Sequence, residues 1–74
     1  MSVADAAKTV YEQDLRQMLE KQNQGDFVAI EPESRTYYIT RTFLEAAMAA
    51  KESFPTRKPF VIRIGHDAAF HIGA

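Results

Sequence analysis

The sequence predicts an α+β domain: elements in the order αββαββ, with a four-stranded, mainly antiparallel sheet and two helices packed on one face. Three observations carry this expectation. An amphipathic stripe at spacings of three and four runs from Val3 to Gln22. Two pairs of short β-rich runs follow, each pair interrupted by turn residues. Between the pairs lies "TFLEAAMAAKESF", with a capping signature at its front and Pro55 behind it.

The first helix is expected over about residues 3–23. Val3, Ala7, Tyr11, Leu15, Met18 and Gln22 trace its apolar face, and Val10 and Leu19 widen it. Ser2 offers a hydroxyl to cap the first turn, and Asp5 sits where the positive end of the helix dipole favours it. Asn23 and Gly25 mark the end. Phe27–Glu31 and Thr36–Thr40 then flank "PESR", which reads as a hairpin connection. Glu31 and Glu33, either side of Pro32, are expected in solvent at the hairpin tip.

Thr42 and Glu45 form the pattern of a capping box, in which the threonine hydroxyl accepts from the third helical amide while the glutamate reaches back. Leu44, Ala47, Met48 and Lys51 share one face of the helix that follows, with the lysine stem covering apolar surface at its edge. In the last segment Phe60, Ile62 and Ile64 alternate with Val61 and Arg63; "GHDAA" breaks the run, and Phe70 and Ile72 resume it around His71. Phe60, Ile62, Ile64, Phe70 and Ile72 are expected to face the helices, and Val61, Arg63 and His71 to face away. A helix joins the second and third strands, so these two point the same way. Either they are adjacent and parallel, or the first strand lies between them in a wholly antiparallel sheet. The second arrangement is the expected one, because short antiparallel sheets are common in α+β domains.

A chain of 74 residues makes one small domain: a helix over 1–24 and a ββαββ unit over 25–74. Domains of this size bury only about 60% of their unfolded surface. One core of this kind rarely supplies more than about 3–5 kcal/mol without a staple. There is no cysteine, which excludes disulfides and thiolate zinc sites, and two histidines alone make a poor structural zinc site. The remaining route to stability is self-association or a partner, so a dimer or a stable complex is expected. The net charge of −1 exerts no general pull on nucleic acid or anionic membrane. No apolar run approaches the roughly 20 residues of a membrane span. "MSVADAAKTVYEQD" lacks the basic start and apolar stretch of a signal peptide, so a cytoplasmic location is expected.

The chemistry-bearing residues are few. His66 and His71, with Asp67 beside the first, are of types that bind transition metals. One is expected in a turn and the other on a strand, however, and a metal site needs convergent side chains. Ser34 and Ser53 lie in no nucleophile-elbow pattern. Gly25, Gly65 and Gly73 are too scattered to cradle phosphate. No catalytic residue, metal or cofactor is therefore expected. If Tyr37 and Ile39 point to the helices, Thr36, Tyr38 and Thr40 point away, sharing an open face with Val61, Arg63 and His71. Tyr38, Arg63 and His71 are the expected contact surface, since tyrosine and arginine are favoured anchors in protein interfaces. The expected partner is a protein or a second copy of the chain. A single-stranded nucleic acid stacked on that open face is the alternative, and the slightly acidic charge weighs against it.

From Gly25 to Gly73 the chain resembles a family of very short bacterial and archaeal proteins of unknown function. The shared pattern is F-V-A-I, an acidic hairpin, an aromatic strand, a T-x-x-E-A helix and a closing R-I-G-H, here Arg63 to His66. Family members carry an E-S-G hairpin, with glycine where this chain has Arg35; that departure predicts a turn without a left-handed residue. Members are often encoded near small retropepsin-like aspartic proteases, which implies a protein partner. A looser similarity links Thr42, Glu45, Ala46, Ala50 and Lys51 to the corresponding helix of HicB-like antitoxins. Both resemblances imply a small interaction or regulatory module.

Overall fold

The computed structural model describes residues 3–58, 60–66 and 69–71, with the backbone alone at Val3 and at 69–71. Its first body is one helical rod in three consecutive pieces: α1 (Val3–Val10), a π-helical segment (Tyr11–Leu15) and α2 (Arg16–Gln22). The sequence explains the π segment. Ala7, Tyr11, Leu15 and Leu19 are all buried and repeat every four residues. In an α-helix of 3.6 residues per turn, each four-residue step slips by about 40°, so three steps carry the fourth residue about 120° round the rod. In the π segment Arg16 N–H donates to the Tyr11 carbonyl, five residues back, and this wider turn takes up the slip. Leu15 and Leu19 therefore stay over the sheet. Met18 and Gln22, expected on the buried stripe, turn outward, and Met18 is 41% exposed.

The sheet is antiparallel and built on three strands: β1 (Phe27–Glu31) lies between β2 (Thr36–Thr40) and β3 (Phe60–Arg63). A three-residue β4 (Ala69–His71) pairs with the far side of β3. The order follows from the chain: β1 and β2 form a hairpin, and α3 (Phe43–Ser53) carries the chain back past β1 to β3. Pairing continues beyond the strand ends, where Gly25 N–H donates to the Ile64 carbonyl at 2.9 Å and Ile64 N–H to the Asp26 carbonyl at 2.8 Å.

The two helical bodies lie on opposite faces of this sheet, which corrects the expectation of both on one face. Val28, Ile30, Phe60, Ile62 and Ile64 pack with Ala7, Val10, Tyr11, Leu15 and Leu19 of the rod. Ala29 and Val61, on the other face, pack with Ala46 and Ala50 of α3, and Phe27, Tyr38, Phe43 and Ala47 close the rim of that cluster. The physical reason lies in β1 and β3. "FVAI" and "FVI" are apolar at successive positions, the mark of strands buried on both faces rather than one. Val61, expected to face away from the helices, is fully buried beneath α3.

α3 also sits in a different rotation from the one its long apolar residues predict. Its buried positions are Ala46 and Ala50; Leu44 is 65% exposed and Met48 61%. Alanines let the helix backbone come close to Ala29 and Val61, and Phe43 meets Phe27 edge to face at 6.2 Å between ring centres. The threonine caps the helix as expected: Thr42 Oγ1 accepts from Glu45 N–H at 3.1 Å. The glutamate reaches the hydroxyl itself, accepting from Thr42 Oγ1 at 2.8 Å. Phe54 closes the helix just ahead of Pro55.

Candidate functional site

Of the expected contact surface of Tyr38, Arg63 and His71, the first two belong to the face of the sheet that α3 packs against. Tyr38 pairs with Ala29 across the β1–β2 ladder, and its half-buried side chain packs at the rim of the α3 cluster. Arg63 is exposed, and its guanidinium lies over the Phe27 ring at 5.7 Å. Arg63 pairs with Phe27 on the α3 face, and the His71 backbone pairs with Phe60. The His71 side chain lies outside the described residues, as does Asp67, so the histidine–aspartate grouping weighed for metal falls there. Among the described residues no group of three or more His, Cys, Asp or Glu could hold a metal ion. The open face on which bases were to stack is the face that α3 covers.

"RIGH" acquires a structural role. His66 N–H donates to the Arg63 carbonyl at 3.2 Å, closing a β-turn. Gly65 takes the positive φ (84°) that type II turns demand at their third position. A Cβ there would meet only the flexible end of the Gln24 side chain, so it is the positive φ that calls for glycine. Ile64 is buried in the rod-side core and His66 is exposed.

The hairpin tip is built by its acidic residues. Glu31, expected in solvent, is buried, and its two carboxylate oxygens accept from Glu33 N–H at 2.9 Å and Ser34 N–H at 3.2 Å. The carboxylate thus satisfies amides that the turn leaves without strand partners. Arg35 keeps the left-handed conformation (φ 59°), contrary to the expectation raised by its replacing glycine. Its guanidinium pairs with Asp14 in the π segment, while Glu33 pairs with Arg57 beyond α3, so the tip is tied to both helical layers. Exposed pairs of this kind contribute about 0–1 kcal/mol each.

A cavity of about 180 Å³ opens between the rod and the β3–β4 turn, lined by Tyr11, Arg16, Glu20 and His66 among others. Its charges answer one another. Arg16 bonds Glu12 at 2.7 Å and Glu20 at 3.1 Å, and the Tyr11 hydroxyl donates to Glu20 at 3.0 Å. Burial, then the bond to Glu20, pushes the Tyr11 phenol above its usual value near 10, while the Gly65 backbone works the other way. The hydrogen bonds to Glu12 and the two neighbouring carboxylates raise the Arg16 value further. This is a self-compensated polar cluster, smaller than the roughly 300 Å³ at which small-molecule pockets begin.

Two features that the sequence reading missed are better placed to meet another molecule. The outer edge of β2, "TYYIT", has no strand against it among the described residues. Tyr37, which alternation places on the rod face with Ile30 and Ile39, is 37% exposed. Leu44 and Met48, one helical turn apart, form an apolar pair on the outside of α3. The alanine pattern of α3 was the signal for the second feature: Ala46 and Ala50 mark a close-packed stripe, which turns Leu44 and Met48 away from the sheet. Among the described residues no helix is long and apolar enough to cross a membrane. No family model, curated protein or solved structure matches the chain.

Proposed function

We propose that this chain is a non-catalytic protein-interaction module, a single αββαββ domain that engages a protein partner through the outer edge of β2. The observation that carries the reading is the edge itself. Five successive residues, all β-branched or aromatic, pair with β1 on one side only among the described residues. Neither charge, proline nor bulge interrupts them, and these are the devices that normally blunt an exposed edge. An edge of this kind takes up an added strand: main-chain hydrogen bonds supply affinity, and alternate side chains supply specificity. The resemblance to the very short bacterial and archaeal proteins, and more loosely to HicB-like antitoxins, supports a regulatory accessory role.

The test is a tagged chain expressed in its native host and recovered with and without nuclease. The expected result is a protein recovered in near-stoichiometric amount, or the untagged chain itself, indifferent to nuclease. Material lost on nuclease treatment, or nucleic acid recovered with the chain, would replace the reading with nucleic-acid binding.

A further inference from the structure

We infer that the partner at the β2 edge is a second copy of the same chain, joined antiparallel about a two-fold axis at Tyr38; this rests on the reading of β2 as the binding edge. A two-fold interface demands that residue i face j while j faces i. Any strand paired antiparallel with its own copy meets that demand; what "TYYIT" adds, centred on Tyr38, is compatible pairs: Thr36 faces the partner copy's residue 40, Tyr37 faces its residue 39, and Tyr38 faces its own counterpart. Threonine–threonine, aromatic–β-branched and aromatic–aromatic pairs are all favoured across strands, and no like charges meet within the five. The register also places an isoleucine beside Tyr37, the strand residue left partly uncovered on the rod face.

The flanking charges oppose this register only weakly. Arg35 faces position 41 of the other copy, which is also arginine, but the Arg35 charge is already balanced by Asp14. The residue pairing with β1 is unbroken from 36 to 40, so the edge presents a straight template without a bulge. Because both helical layers flank the sheet, joining the β2 edges continues one sheet through both copies and leaves each core intact. A five-residue strand pair buries less than the about 1,200 Å² of a standard stable interface, so the dimer is concentration-dependent.

The chain has no cysteine, which makes single introduced thiols clean reporters. On the axis, Tyr38→Cys puts two thiols on strands with opposed Cα atoms about 4.5–5.5 Å apart, within disulfide reach. Thr36→Cys puts its two thiols four residues apart along the strands, about 13 Å, beyond reach. Thr36→Cys combined with Thr40→Cys restores reach without touching the half-buried Tyr38. The experiment combines sedimentation of the unaltered chain over about a thousandfold concentration range with mild oxidation of the three variants, circular dichroism confirming that each is folded. The expected result is reversible monomer–dimer exchange, with covalent dimer from Tyr38→Cys and from the double variant and at least tenfold less from Thr36→Cys. Cross-linking of Thr36→Cys as readily as the others, or dimerisation with no cross-link in the double variant, overturns the proposed register and axis. A chain monomeric throughout that still captures another protein overturns self-pairing and leaves the binding module standing. One that is monomeric and captures nothing overturns both.

Discussion

The two faces of the sheet are packed by different rules. On the rod face Leu15, Leu19, Val28, Ile30, Phe60, Ile62 and Ile64 interdigitate as large side chains. On the α3 face Ala29, Ala46, Ala50 and Val61 bring backbone close to backbone, with aromatic rings only at the rim. The first face draws its stability from buried apolar volume, the second from closeness of approach. The rod therefore suffers most from truncation and α3 from enlargement, although both cover the same strands.

Leu19→Ala breaks the comparison most directly. Leu19 is almost fully buried, and its truncation is expected to cost about 2–5 kcal/mol. That is comparable to the whole stability of a domain this size, so the variant should be largely unfolded in a urea titration followed by circular dichroism. Loss of only a few tenths of a kcal/mol would mean that the rod is not the principal core. The opposite test is Ala29→Leu, which adds volume where α3 approaches. It is expected to cost about 1–3 kcal/mol, and a neutral result would show slack beneath α3.

Tyr11→Phe sharpens the account of the rod's polar rim. Removing the hydroxyl that bonds Glu20 should cost about 1 kcal/mol at neutral pH. The phenol is held above its usual value near 10, so the folded state keeps its proton more firmly than the unfolded chain does. That contribution is fully present below pH 10 and is lost as pH rises through the folded value. The unaltered chain should therefore lose stability in alkali more steeply than Tyr11→Phe, and parallel pH profiles would refute this role. The smallest expected effect is at Arg35→Gly. Relief of the left-handed strain, about 1–2 kcal/mol, is offset by added freedom of the unfolded chain and by loss of the Asp14 pair. The net expectation is about 0.5 kcal/mol of stabilisation, measured beside Asp14→Ala to separate the ion pair.

Much of the local structure was legible in the residues. The bounds of the rod, the hairpin around "PESR", the Thr42 cap and the stop before Pro55 follow from short-range chemistry that acts wherever those residues occur. The candidate site was not legible to the same degree. Tyr38, Arg63 and His71 were grouped by assuming that one sheet face stays open, and period-two alternation states which residues share a face without stating what covers it. The buried carboxylate of Glu31 escaped notice because its value lies in two turn amides, which a charge pattern does not reveal.

By itself the sequence determined the bounds of the rod, of the first hairpin and of α3, and that no disulfide holds them, because capping, periodicity and cysteine content are local properties. Tertiary structure decided on which face each helix lies, which way α3 is turned, and which strand is left at an edge. Those outcomes depend on competition between surfaces. "FVAI" is apolar on both sides, so each side attracts a helix, and the alanines of α3 win the close approach that Leu44 and Met48 are too large to make.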